Sequence, residues 1–458
     1  MWRNIAAEIA AMNEEHDEKK TTRAPTGRLE RLFKLSGTAT GVAARLAGER
    51  LLEKLVPPQR RAGMRKKALT RSGEQMVEMM GQLKGAAMKV GQMLSVDPEA
   101  MPPEIQQALA TLQRSAPPMD YEQVVAQIES ALEQPIHQVF KYFDPDPVGA
   151  ASIGQVHRAE TFDGRVVAVK VQYPGIADTL ESDLKNLASL MTMAGVVMER
   201  ERVNSYLAEV RDVLIEESDY LHEAHNLARF HDLLAPYPWV RVPVPDLERT
   251  ASTVLTMEYI AGQKLDDYLE AMPAGEQRNA LAERFVQLMA TMFHELHELH
   301  ADPHPGNFMV DDQGRIVLLD FGCVRRFPET FTEGIIEILV CLWNGDAEEL
   351  LQTYRRLGYG TSRVQHYDPE VIYAFTELVL APFLDDAPFD FGAWDVHERI
   401  RELFLHNIEL TTFVPPREAI LYLRVVAGLR GLLKRLHITF NAGRMGRDFA
   451  AAHGFGEW

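Results

Sequence analysis

Apolar residues follow two rhythms along the chain. After Thr70, Met76, Met80, Leu83, Ala87, Val90 and Leu94 recur at spacings of 4, 3, 4, 3 and 4, which is one stripe of a helix. Ser72, with Gln75 three residues on, forms a capping box at its start. Gly85, Lys89 and Gln92 share a face beside the stripe, and its methionines read as adaptable core packing. Pro57-Pro58, Pro102-Pro103 and Pro117-Pro118 cut the first quarter into helical blocks. Past Val139 the rhythm changes. Gln155 to Glu160 and Val166 to Gln172 read as two strands joined by a turn at Phe162-Asp163-Gly164-Arg165, where Asp-Gly is a strong hairpin signal. Leu180 to Phe230 reads as helix with many acids, and Thr253 to Ile260 returns to strand. Beyond Gly262 the pattern is mostly helical, broken by a polar loop near His300 and a buried-looking strand, Ile316 to Leu319. The pattern predicts a small strand-rich lobe followed by a larger helical one, with no internal repeat.

Composition narrows the class. The 458 residues are 46% hydrophobic and 25% charged, which excludes a mostly disordered chain. Two cysteines, Cys323 and Cys341, are too few for a disulfide framework or a cysteine-built zinc site, so a reducing compartment is expected. The longest uncharged helical run, Asn186 to Met198, falls short of the roughly 20 apolar residues of a spanning helix. Acids punctuate Met1 to Lys20, so no signal peptide is expected there. The expectation is a soluble or peripheral protein, cytoplasmic and peripheral on the inner face of the membrane.

The net charge of −18 hides an asymmetry. Between Arg23 and Arg71 thirteen Lys and Arg face three acids, giving +10, so the remainder carries −28. Leu29, Leu32, Phe33, Val42, Leu46, Leu51, Leu52 and Leu55 interleave with these charges. Such an amphipathic helix suits an anionic lipid surface or a partner, or packing on the chain's own acidic body. Nucleic acid is not the expected partner, because aromatics for base stacking are nearly absent there.

Four features carry candidate chemistry. Val167-Ala168-Val169-Lys170 ends a strand in a lysine; alone, such a residue is more often a solvated gatekeeper. His300-Ala301-Asp302-Pro303-His304-Pro305-Gly306-Asn307 sets Asp302 and Asn307 five apart in a loop too proline-rich for helix. Asp320-Phe321-Gly322 follows the apolar strand directly. An acid-rich helix, Glu216 to Glu223, lies between the lysine and the loop. Phosphoryl transfer needs a cation on the nucleotide phosphates, a carboxylate fixing that cation, two oxygen ligands for Mg²⁺, and a carboxylate near the nucleophile. Lys170, Glu223, Asn307 with Asp320, and Asp302 fill those roles in the chain order of protein kinases. Each motif alone is a frequent accident, whereas the ordered set is specific. Met257 to Ile260 would be the hinge, with backbone groups of Glu258 and Ile260 holding adenine. His304 reads as loop-ordering rather than metal-binding, and Cys323 as a small buried filler.

Two kinase parts are missing. No G-x-G-x-x-G loop precedes Lys170; the position reads Gly149-Ala150-Ala151-Ser152-Ile153-Gly154-Gln155-Val156-His157, a stiffer loop. No Ala-Pro-Glu follows Gly322, and Cys323 to Pro328 leaves little room for a peptide-docking segment. Both departures argue against an ordinary protein kinase.

Lys89-Val90-Gly91-Gln92, the loop AASIGQVH, VAVK, the run Glu217 to Asn226, HADPHPGN and DFG are together similar to the UbiB/AarF family. These are atypical protein-kinase-like ATPases linked to ubiquinone and other isoprenoid-lipid metabolism. The likeness spans about Arg28 to Arg326, with the remainder matching only as a helical C-lobe. It implies an α+β, bilobal protein kinase-like fold. Residues 1–125 would be a helical extension with a Lys-x-Gly-Gln motif, 126–260 an N-lobe with an Ala-rich loop, and 261–458 the C-lobe. It implies that the extension folds over the site, with Lys89 and Gln92 reaching in and Lys89 meeting Glu217 and Asp219. Ala150, Ala151 and Ser152 would cover the phosphates of ATP, bound with Mg²⁺. Two departures stand out: Gly149 replaces the first of three alanines, and Ala450 to Trp458 ends the chain where many bacterial members have spanning helices.

The expected function is an Mg-ATP-binding ATPase supporting ubiquinone or isoprenoid-lipid metabolism at a membrane surface. The expected partners are a quinone-like lipid or anionic membrane, and proteins of a biosynthetic complex or a second copy of the chain. The rival readings are a small-molecule or lipid kinase, and a nucleotide-binding scaffold.

Overall fold

The computed structural model describes residues 119–456, apart from 152, 177–210, 212–213, 301–304 and 361–366. The expected extension, with Lys89 and Gln92, therefore lies outside the described residues, as does the basic stretch 23–71.

Helix α1 (Tyr121–Leu132) buries Val124 and Ile128, four apart on one face, and closes on Glu133 in the left-handed region. The 125/126 boundary expected from the sequence falls inside it. A single turn, α2 (Ile136–Val139), leads into β1 (Tyr142–Ala151), β2 (Gly154–Glu160) and β3 (Val166–Gln172). The turn between β2 and β3 is the expected Asp-Gly one, with Gly164 at φ 84 and Thr161 N–H bonded to the Arg165 carbonyl. Alternation explains why β3 is nearly all apolar. Val167, Val169 and Val171 pack with Val124 and Ile128 on one face, while Ala168 faces the cleft with the core of the second lobe. Lys170 and Gln172 are the polar residues on Ala168's face, and Gln172 Nε2 donates to the Ser218 carbonyl at 2.9 Å.

A buried relay ties the chain entering α1 to this sheet. The Met119 N–H donates to Gln155 Oε1 at 2.8 Å, Gln155 Nε2 donates to His157 Nε2 at 2.8 Å, and His157 Nδ1–H donates to the Asp144 carbonyl at 2.8 Å. The carbonyl can only accept, which fixes the imidazole tautomer. Burial lowers the His157 pKa, so the ring is held neutral.

The long helix expected over Leu180 to Phe230 is broken. Within the described residues a helical segment ends at Glu217, and α3 (Tyr220–Leu234) starts afresh. Asp219 is the cause: its side chain accepts from the Leu221 and His222 N–H groups as N-cap, and Ser218 Oγ donates back to the Ile215 carbonyl. After β4 (Val240–Arg241), β5 (Val254–Glu258) completes an antiparallel sheet in the order β1-β2-β3-β5.

The second lobe opens with β6 (Gly262–Lys264), α4 (Leu265–Ala271) and α5 (Glu276–His294). Then come β7 (Glu298–His300), β8 (Phe308–Asp311), β9 (Ile316–Leu318) and β10 (Val324–Arg326). One small sheet runs β4-β9-β8-β6, and β7 pairs with β10. The sequence pattern foresees β9 but not β6, β7, β8 or β10, each too short to display an alternation. Six helices follow: α6 (Glu329–Asn344), α7 (Ala347–Arg356), α8 (Pro369–Val379), α9 (His397–His406), α10 (Arg417–Arg435) and α11 (Ala442–Ala452). A short pair, β11 (Phe389–Asp390) and β12 (Thr439–Phe440), ties α9 and its approach to the last helix. One hydrophobic core runs from Ala168 and Met257 of the first lobe through Phe230 and Phe321 to Phe285, Phe293 and Leu433 of the second. This is the α+β bilobal architecture the sequence implies. No helix among the described residues is long and apolar enough to cross a membrane.

Candidate active site

The site forms where β3, α3 and the segment after β9 converge. Lys170 Nζ lies 2.7 and 2.9 Å from the two Glu223 carboxylate oxygens and 3.0 Å from Asp320 Oδ2. Glu223 sits in the first turn of α3, so the Asp219 cap that starts the helix also sets its height against β3. Lys170 is 5% exposed and Glu223 1%. Burial works against the Lys170 charge, but the Asp320 and Glu223 carboxylates more than offset it and hold the ammonium well above its usual range. Burial pushes the Glu223 carboxyl up; Asp320 adds to this and Lys170 opposes it.

Asp320 is fixed from several sides. Its Oδ1 accepts the Gly322 N–H at 3.0 Å, and its carbonyl accepts from His300 Nε2. The next ring, Phe321, is fully buried, its centroid 4.9 Å from Phe230 and 5.7 Å from His300. Asn226 Nδ2, three residues past Glu223, donates to the Phe321 carbonyl at 3.1 Å. Helix α3 therefore grips both Lys170 and the segment carrying Asp320.

Asn307 ends a short 3₁₀ turn, Pro305–Asn307. Its carbonyl accepts the Leu319 N–H at 3.0 Å, which sets Asn307 beside the residue preceding Asp320. Asp302 lies outside the described residues. Ala150 and Ala151 end β1, paired with Gln155 and Gly154; Ser152 is outside the described residues. At the hinge, the Glu258 N–H donates to the Val244 carbonyl at 2.8 Å and the Tyr259 N–H to the Val166 carbonyl at 3.2 Å. The Glu258 side chain is bound by Arg241 Nη2 at 2.5 Å. The Ile260 N–H makes no hydrogen bond among the described residues. Glu217 is buried, with Cγ 3.2 Å from where a Cβ on Gly322 would stand. Asp219 is exposed and turned to its own helix. The expected contact of this pair with Lys89 lies outside the described residues.

Glu217, Glu223 and Asp320 thus bring three carboxylates to one region that Lys170 alone only partly balances. Among the described residues no group of three His, Cys, Asp or Glu side chains is arranged to hold a metal ion by itself; the side chains of Asp320 and Asn307 are hard oxygen donors of the kind Mg²⁺ takes. Sequence reasoning missed three neighbours of the site. Tyr220 and Asn226 flank Glu223 at i−3 and i+3, a helical spacing that could have found them. Arg241, in a two-residue strand, left no signal.

Residues 111–354 match the family model of the ABC1 atypical kinase-like domain. Among relatives, "Atypical kinase coq-8, mitochondrial" of Caenorhabditis elegans is 31% identical over 84% of this chain and 52% of its own length, so the chain spans about half of that relative. "Probable serine/threonine-protein kinase abkA" of Dictyostelium discoideum is 30% identical over 93% of this chain and 79% of its own. "Atypical kinase COQ8, mitochondrial" of Saccharomyces cerevisiae is 29% identical over 96% and 88%. A solved structure titled as the complex of Rv3197 with erythromycin, from Mycobacterium tuberculosis, aligns at a TM-score of 0.59 and 27% identity over 85% of this chain and 97% of that one. A family match across more than half the chain, on a bilobal fold whose buried lysine joins the helix glutamate to the Asp-Phe-Gly aspartate, makes this chain a member of the ABC1 atypical kinase-like family.

Proposed function

We propose that this protein binds Mg-ATP in the interlobe cleft and hydrolyses it in support of ubiquinone or isoprenoid-lipid metabolism at a membrane surface. The observation that carries this reading is the Lys170 ammonium shared by Glu223 and Asp320, an arrangement built to present one fixed cation to phosphate. Asp320 and Asn307 would hold Mg²⁺, which when bound supplies neutralising charge on the phosphates. Lys170 orients the phosphate chain, and Glu223 holds the ammonium in place from the α3 side while Asp320 meets it from the other. Asp302 positions the nucleophile. Ala150, Ala151 and Ser152 cover the phosphates, while the Glu258 carbonyl and Ile260 N–H hold adenine. Lys89, Gln92, Glu217 and Asp219 act as the regulatory set through which the extension restrains the site.

The test is Mg²⁺-dependent ATP hydrolysis by the full chain, with and without anionic liposomes, beside Asp320→Asn. Turnover raised by liposomes and lost in the variant is the expected result. Tight nucleotide binding with no turnover in either condition would overturn the ATPase reading in favour of a scaffold. A small-molecule kinase is the second reading, favoured by the structural neighbour whose title names a complex with erythromycin. Transfer of ³²P from ATP to a small hydroxylated acceptor would select it.

A further inference from the structure

Tyr220 is a buried polar residue for which the roles above have no use. It is fully buried, and its hydroxyl has no hydrogen-bond partner among the described residues. Its place is not peripheral. Lys170 Nζ lies 4.9 Å from the ring centroid, and Glu223 is one helical turn further along α3. The hydroxyl stands 2.9 Å from where a Cβ on Gly154 would be. Gly154 closes the β1–β2 turn that follows Ala150 and Ala151. The phenol is therefore set between the lysine and the turn expected over the phosphates.

An aromatic face under an ammonium is favourable in itself, and a phenylalanine would supply it as well. The hydroxyl is different. A buried donor without an acceptor costs about 1–3 kcal/mol, and no described residue supplies one to this hydroxyl, so an acceptor entering the cleft would find the donor ready. The ammonium of Lys170, 4.9 Å from the ring centroid, is the neighbour that would share an anionic acceptor with it. Burial pushes the phenol pKa up, with the nearby carboxylates adding to this and Lys170 opposing it. The phenol thus stays a neutral donor across the whole working pH range and can serve an anion. We infer that Tyr220 is a positioning residue whose hydroxyl donates to a phosphate oxygen of the bound nucleotide, beside the oxygen taken by Lys170. This rests on the nucleotide-binding reading above and deepens it, since it names a second donor from α3 toward the phosphate chain.

The test compares the full wild-type chain with Tyr220→Phe by two measurements. The first is the thermal melting of the nucleotide-free protein. The second is affinity for Mg-ATP and for adenosine, the latter read as displacement of a fluorescent ATP analogue. A hydroxyl that waits for phosphate predicts melting unchanged or raised in the variant, Mg-ATP affinity weakened about tenfold, and adenosine affinity unchanged. Equal Mg-ATP affinity in the two proteins overturns the inference. So does an equal weakening for adenosine, which would place the effect in the fold of the cleft. A lower melting temperature with unchanged nucleotide affinity also overturns it, because the hydroxyl would then be bonded within the resting protein. If wild-type protein binds neither ligand, the nucleotide-binding reading itself falls. Binding by wild type with no change in the variant sinks the Tyr220 role alone.

Discussion

Lys170 carries one positive charge into a region it shares with Glu223, Asp320 and Glu217. Lys170→Met leaves Glu223 buried without its counter-charge, which is expected to cost about 3–5 kcal/mol in denaturant unfolding. The loss should depend on pH in a defined direction. Glu223 is already raised in the folded state, and losing the ammonium raises it further. A carboxyl whose folded value lies above its unfolded one favours the fold at low pH and disfavours it as pH rises. The variant should therefore be closer to wild type near pH 5 than at pH 8; a penalty that grows toward acid would refute this. His294 gives the opposite slope. Burial, with His453 adding, holds its imidazole down to about 3 against an ordinary 6.5. Folded protein keeps it neutral while unfolded chain protonates, so its stability contribution is full above 6.5 and is lost as pH falls toward 3. His294→Leu should flatten the acid limb of a melting-temperature profile.

At the scale of elements, α3 is the part on which the site depends. It begins where Asp219 caps it, grips Lys170 through Glu223, and holds the Phe321 carbonyl through Asn226. Asp219→Ala is expected to cost about 1 kcal/mol of stability and to raise the KM for ATP more than it lowers stability would suggest, because Glu223 rides on the first turn. The break before α3 also shows what the sequence hides. Glu216 to Glu223 reads as one acidic helical run, yet Asp219 has its neighbours' N–H groups to satisfy and ends the helicity. Lys170, Glu223 and Asp320 were legible because ordered motifs survive without knowledge of the fold. The strands β6, β7, β8 and β10 were not, since three or four residues cannot display an alternation. Tyr220 was hidden differently: next to an acid run, a tyrosine reads as ordinary core until its hydroxyl is seen to have no partner among the described residues. Within β1, a Cβ on Gly149, the residue paired with Val156, would meet open space. Gly149→Ala should therefore stabilise the protein by about 0.4–1 kcal/mol through the unfolded chain, read as a shift in the urea midpoint.

Across the whole molecule, two lobes meet at a hinge tied by charge. Arg241, in the sheet of the second lobe, binds Glu258 at the end of the first lobe's sheet at 2.5 Å and approaches Asp311 at 3.7 Å. A partly exposed pair of this kind contributes only about 0.5–1 kcal/mol, too little to matter for folding but enough to bias the angle between lobes. Arg241→Met is expected to leave the melting temperature within a few degrees of wild type. Hydrogen exchange should nonetheless quicken at Glu258 to Gln263. Unchanged exchange there would show that the hydrophobic core alone sets the hinge.

The relay from Met119 through Gln155 and His157 to Asp144 has a practical consequence for anyone shortening the chain. The family match begins at residue 111, which invites trimming back to the start of α1. A chain begun at Tyr121 would delete the amide that occupies Gln155 Oε1, leaving a buried carbonyl oxygen without a donor immediately behind the Ala-rich turn. The side-chain amide could then flip and turn its oxygen toward His157 Nε2, an acceptor facing an acceptor, because the Asp144 carbonyl still holds the proton on Nδ1. A lobe-only protein made that way would report altered nucleotide handling that belongs to the cut and not to the enzyme. The first safe residue for such a truncation lies upstream of Met119, and the integrity of the cut can be read from the His157 ring signals in an NMR spectrum before any assay is run.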